Sequence, residues 1–169
     1  MAGPVQGHGH AGRPDVENAP MCPPLPGPDG LTNPLPAGPV DDWWLADSEL
    51  LGLVPTAQGC ELRVAAAAVQ RQAPGAPPVR LSGHLSRLVL TLTGVVPGPW
   101  PVVTPGRLRA GSQLQVDGQR LAPLRLPFQA DGECVLTLCL GDGSEWTLQA
   151  RKVAAAAAPG ARFHESLAC

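Results

Sequence analysis

Tyrosine and isoleucine are absent from this sequence, and Lys152 is the one lysine among 12 basic residues. Aromatic residues make up only 4% of the chain. Packing must therefore fall to Leu, Val and Ala, which predicts a core of small aliphatic contacts. The 12 basic and 14 acidic side chains nearly cancel. No basic stripe interleaved with aromatics occurs, so the electrostatic footprint of a nucleic-acid binder is missing. No apolar run approaches the roughly 20 residues that a membrane helix needs. The first 20 residues lack an apolar h-region, which predicts no secretory leader. Nucleophile-elbow, P-loop, dinucleotide and His-Glu-x-x-His patterns are all missing. The five cysteines, Cys22, Cys60, Cys134, Cys139 and Cys169, form no Cys-x-x-Cys pair. Reduced thiols in an intracellular protein of cytoplasm or nucleus are expected from that pattern. Neither a cofactor nor a metal is expected, and the chain reads as a non-enzyme.

What is present is mostly strand grammar. Between Glu133 and Val153, Cys134, Leu136, Leu138 and Leu140 alternate with Val135, Thr137 and Cys139. Gly141-Asp142-Gly143-Ser144 interrupts the run, and alternation resumes through Trp146, Leu148 and Ala150. Period-two spacing on both sides of a Gly/Asp turn predicts an antiparallel hairpin with one buried face. Cys134 and Cys139 stand on opposite faces of that strand, so no disulfide joins them. Asp117-Gly118 predicts a second, tight hairpin. Glu61 to Gln70 contains four consecutive alanines, which favour helix, yet Leu62, Val64, Ala66 and Ala68 alternate; a strand is expected there. Val79–Leu81 and Leu88–Thr93 predict one or two strands interrupted near Gly83. Gly94 to Gly106 is proline-rich and predicts a long surface connection holding Trp100.

Outside this region the grammar changes. Residues 1–40 are rich in Pro and Gly, which predicts a disordered leader. Residues 41–53 place Trp43, Ala46 and Leu50 at helical spacing behind Asp41 and Asp42, with Gly52 at the end. A short acidic amphipathic helix is expected, capped by an aspartate. The β-domain is expected over 59–153, and residues 154–169 read as a flexible tail. Short strands separated by turns predict an all-β fold, a small antiparallel β-sandwich of immunoglobulin-like type. A five-stranded OB-like barrel is the alternative.

The order of these features resembles the lamin tail domain, an immunoglobulin-like sandwich. The resemblance is carried by Leu62-Arg63-Val64, Val79-Arg80-Leu81-Ser82-Gly83, Pro105 to Ser112, and Gly132 to Leu138 with the Asp142-Gly143 turn. His84 stands where that family has Trp. Gly59-Cys60-Glu61-Leu62 is similar to the first strand of nucleoplasmin-type chaperones, without their acidic tracts.

The expected function is a non-catalytic domain that binds protein partners; a self-associating chaperone or assembly module is the alternative. The candidate contact residues are Trp43, Trp44, Leu50 and Leu51 of the acidic segment, and Trp100. The two adjacent indoles either fold back to plug an end of the β-domain, the preferred reading, or dock into a partner's groove. His84 reads as a surface residue, and His164-Glu165-Ser166 as a chance adjacency with no triad geometry.

Overall fold

The computed structural model describes residues 39–73, 77–96, 100 and 104–166. The expectation of a disordered leader therefore lies, over residues 1–38, outside the described residues. Among the described residues there are ten strands and no helix. They are β1 (Val40–Thr56), β2 (Gly59–Ala73), β3 (Val79–Thr93), β4 (Gly106–Arg107), β5 (Gln113–Val116), β6 (Gln119–Leu121), β7 (Leu124–Leu126), β8 (Phe128–Cys139), β9 (Glu145–Ala157) and β10 (Phe163–Glu165). All pairings are antiparallel, in the order β4-β1-β2-β3-β9-β8-β5-β6, with β7 on β1 and β10 on β3. The described residues are all-β.

The long strands form because their apolar positions alternate, and they bend because the alternation slips. In β2 the buried positions are Cys60, Leu62 and Val64, then Ala67 and Val69. Opposite them, β3 buries Leu92, Leu90 and Leu88, then Leu85 and Gly83. Both strands change parity at the same level, where Arg87 takes a φ of 56°. A paired irregularity of this kind turns the sheet without breaking its ladder. β8 bends differently, at a one-sided bulge where Gly132 and Glu133 oppose Arg151 alone, between the Asp131–Lys152 and Cys134–Ala150 pairs.

Bending brings the ends of the strand order together. Leu108, fully buried, follows β4 on the edge of β1 and also bridges Leu140 beyond β8. Its backbone N–H donates to the Ser48 carbonyl at 2.8 Å, and the next N–H, of Arg109, donates to the Cys139 carbonyl at 2.8 Å. One segment thus leaves β1 and continues along β8 as β5. The core between the curved faces is largely leucine: Leu62, Leu88, Leu90, Leu92, Leu108, Leu114, Leu136 and Leu138 are essentially inaccessible. Each such side chain contributes about 1.5–3 kcal/mol by transfer from water.

The hairpin of Glu133–Val153 is present as β8 and β9 and extends past both expected ends. Asp117-Gly118 joins β5 to β6, with φ of 50° and 76° as a type I′ turn demands. The alanine run is strand β2, and Val79–Thr93 is one strand.

Two expectations are corrected. Residues 41–53 are not a helix; they lie within β1, which pairs with β2 along its length. Burial falls on Asp41, Trp43, Leu45, Ser48 and Leu50. This is a period of two with one slip at a bulge, and the slip produces the three-to-four spacing that imitates a helix. Residues 154–169 are not simply a tail. β9 runs to Ala157, with Ala154–Ala157 paired to Leu88–Thr91 of β3, and β10 adds to the other half of the β3 edge.

Candidate functional site

β1 is covered on its outer edge in two places. β7 pairs with Asp41–Trp43 and β4 with Glu49–Leu50. Between them the strand bulges: Trp44 pairs with Ala68 and Glu49 with Ala66, so Leu45 to Ser48 oppose Ala67 alone. Asp47 takes a φ of 66°, a region that aspartate tolerates better than most residues. Its carboxylate accepts a hydrogen bond from the Arg107 guanidinium at 2.7 Å, and its backbone N–H donates to the Leu108 carbonyl at 2.9 Å.

Ser48, fully buried, completes the bulge. Its Oγ accepts from Trp43 Nε1 at 2.9 Å and from the Ala68 N–H at 3.0 Å, and donates to the Trp44 carbonyl at 2.8 Å. One hydroxyl thus satisfies the indole and the backbone groups that the bulge separates. The outcome is a division of the two tryptophans. Trp43 points into the core with no exposure, and Trp44 stands on the opposite face with 36% of its surface accessible.

Trp44 forms one wall of a small cleft with Ala46, Ser112, Gln113, Arg120, Leu121 and Ala122, floored by Trp43, Leu45 and Leu124. Its interior volume is about 50 Å³. That holds a few water molecules and falls short of a substrate pocket. Arg120 is the charged side chain of the lining. The Ser112 hydroxyl is occupied, accepting from the Cys139 N–H at 3.0 Å and donating to the Cys139 carbonyl at 3.3 Å.

The five candidate contact residues therefore separate. Trp43 and Leu50 are core, at 0% and 2% exposure, and their side chains are not available to a partner. Trp44 remains accessible, as do Leu51 and Trp100. The structure does not bring these three together: neither Leu51, beyond the bulge, nor Trp100 joins the cleft of Trp44. At the open end of the inner face, Asp41 and Arg71 form a two-point ion pair at 2.7 and 2.8 Å. The Arg71 guanidinium also lies 4.2 Å from the centre of the Phe163 ring, a cation–π arrangement. Its hydrogen bond to Asp41 raises its pKa, against the lowering effect of burial.

The thiols are arranged as packing groups. Cys60 and Cys134 are buried and unpaired, and Cys139 is half-buried. Burial pushes the Cys60 thiol up to about 11. Burial also raises Cys134, with the charges of Asp117 and Asp131 adding to it. Cys139 is raised by burial and then by Glu145. All three are held in the protonated, unreactive form.

One juxtaposition escaped the sequence. His84 on β3 and His164 on β10 are direct partners, and Ala68 and Trp44 continue the same cross-strand row. Three residues of β10 are too short to give a periodic signal, so nothing in the chain announced that pairing. No helix among the described residues is long and apolar enough to cross a membrane. Comparison with protein-family models, curated proteins and solved structures returns no match.

Proposed function

We propose that this chain is a non-catalytic β-domain that binds a protein partner through the cleft beside Trp44. The observation that carries the proposal is the separation of the two indoles. In a core built from leucine, one tryptophan is spent on packing, while its neighbour stays accessible at an edge where apolar walls meet one cation, Arg120. Accessible tryptophan and arginine are the residue types that dominate protein interfaces. The fitting partner segment carries an apolar side chain for Trp44, Leu121 and Ala122, with a carboxylate beside it for Arg120.

We further propose that the curved sheet is a sandwich of immunoglobulin-like type, with β1–β3 as one layer and β9-β8-β5-β6 as the other. The bridge between Leu108 and Leu140 supports this by drawing the two layers' edges together. On this reading the resemblance to the lamin tail domain is one of fold, since its segments fall on β2, β3, the β4–β5 connection and β8. Unpaired buried thiols favour a reducing, intracellular compartment.

The test is photo-cross-linking in cells from a photoreactive residue placed at position 44. A discrete adduct from position 44, absent when the same residue replaces exposed Arg63, is expected. Equal labelling from both positions contradicts the proposal, as does a stable higher oligomer whose adduct at 44 is a second copy of this chain.

A further inference from the structure

His84 and His164 are the two histidines of the described residues, and the fold sets them directly opposite each other on one exposed face. Their register is fixed on both sides. The Ser86 N–H donates to the Arg162 carbonyl at 2.9 Å, and the Ser166 N–H donates to the Ser82 carbonyl at 2.9 Å. The Ser86 hydroxyl reinforces the first of these, accepting from the Arg162 N–H at 2.9 Å and donating to its carbonyl at 3.2 Å. Beneath the strand, the Phe163 ring lies against Gly83, within 2.8 Å of where a Cβ would stand. β10 therefore cannot slide along β3 without losing several contacts at once.

Directly opposed residues of an antiparallel pair hold their Cβ atoms about 4.5–5.5 Å apart. Two imidazoles at that spacing can converge on one ion with bonds of about 2.0–2.1 Å. We propose that His84 and His164 form a two-histidine site for a first-row divalent cation of the Ni²⁺, Cu²⁺ and Zn²⁺ group, which clasps β10 to β3. Imidazole nitrogen selects these ions over Mg²⁺ and Ca²⁺, which take oxygen ligands. Among the described residues no third His, Cys, Asp or Glu completes a cluster, so the remaining positions on the ion belong to solvent. On β3 and β2 the neighbours on the same face are the small residues Ser82, Ser86 and Ala68, while Arg162 and Ser166 flank His164 along its own strand.

Ni²⁺ is the suitable probe, because Cu²⁺ oxidises thiols and this chain has five cysteines. Calorimetric titration of the full chain is done in a His8→Ala/His10→Ala background, which removes the other two histidines of the sequence, with hydrogen exchange of Phe163–Glu165 followed in parallel. One equivalent of Ni²⁺ is expected, competed away by excess Zn²⁺. Exchange at β10 slows when the ion is bound. His84→Gln and His164→Gln each remove the binding and the added protection while leaving the metal-free exchange pattern intact. Uptake that survives either substitution, or no saturable uptake in the His8/His10 background, overturns the proposal.

Discussion

Ser48 carries more than its size suggests. Its hydroxyl answers two donors, the Trp43 indole and the Ala68 N–H, in a place closed to water. Each donor left without a partner costs about 1–3 kcal/mol. Ser48→Ala is therefore expected to destabilise the domain by about 2–4 kcal/mol in chemical denaturation. Adding Trp43→Phe to that variant removes one of the orphans, so the double substitution falls short of the sum of the singles.

Cys60 gives a residue-scale test in pH. Its ordinary pKa of 9.0 rises to about 11 in the folded chain because burial disfavours the thiolate. Below pH 9 the thiol is protonated in both states and the stability is complete. Above that, the unfolded chain ionises first, and stability falls as pH rises to about 11. Over this window the loss is on the order of 2–3 kcal/mol from Cys60 alone. Cys60→Ala flattens that part of the denaturation profile; an unchanged alkaline slope contradicts the burial argument.

At the scale of elements, β10 depends on one glycine. A Cβ on Gly83 runs into the His164 carbonyl and the Phe163 ring. Gly83→Ala is expected to lift β10 off the β3 edge, costing about 1–3 kcal/mol. Limited proteolysis should then cut within residues 158–166 at concentrations that leave the wild type whole. By sequence alone Gly83 reads as a break in β3; the close approach of β10 is what requires a glycine there.

The legible elements share one property: their signal is local. Glu133–Val153 displays alternation, turn and return within one stretch, and Asp117-Gly118 can hardly be read as anything but a tight turn. β1 was illegible because its bulge is a response to β2, and the extra residues shift the apolar spacing from two to three. β10 was illegible because its partner lies some 80 residues away in sequence and its length is three residues. The same cause divided the candidate site. Trp43 and Trp44 were identified together, but the parity that sends one inward is fixed by pairing with β2 and by the hydroxyl of Ser48. Ala154–Ala157 reads as tail because alanine carries little pattern, and its place in β9 is fixed by backbone pairing with Leu88–Thr91 of β3.

For the whole molecule, the two tryptophans make opposite demands. Trp43 is part of the packing, and Trp43→Ala is expected to cost about 3–5 kcal/mol with a matching fall in melting temperature. Trp44 stands at the edge, and Trp44→Ala is expected to change stability by less than about 1 kcal/mol. The two variants thus separate the stability of the domain from what it binds. The most direct measurement is co-purification of the partner that cross-linking identifies with a Trp44→Ala chain, read beside that variant's melting temperature. Partner recovery that collapses at an unchanged melting temperature is the predicted result. Full recovery with Trp44→Ala, or a melting temperature that falls as far as with Trp43→Ala, would contradict it.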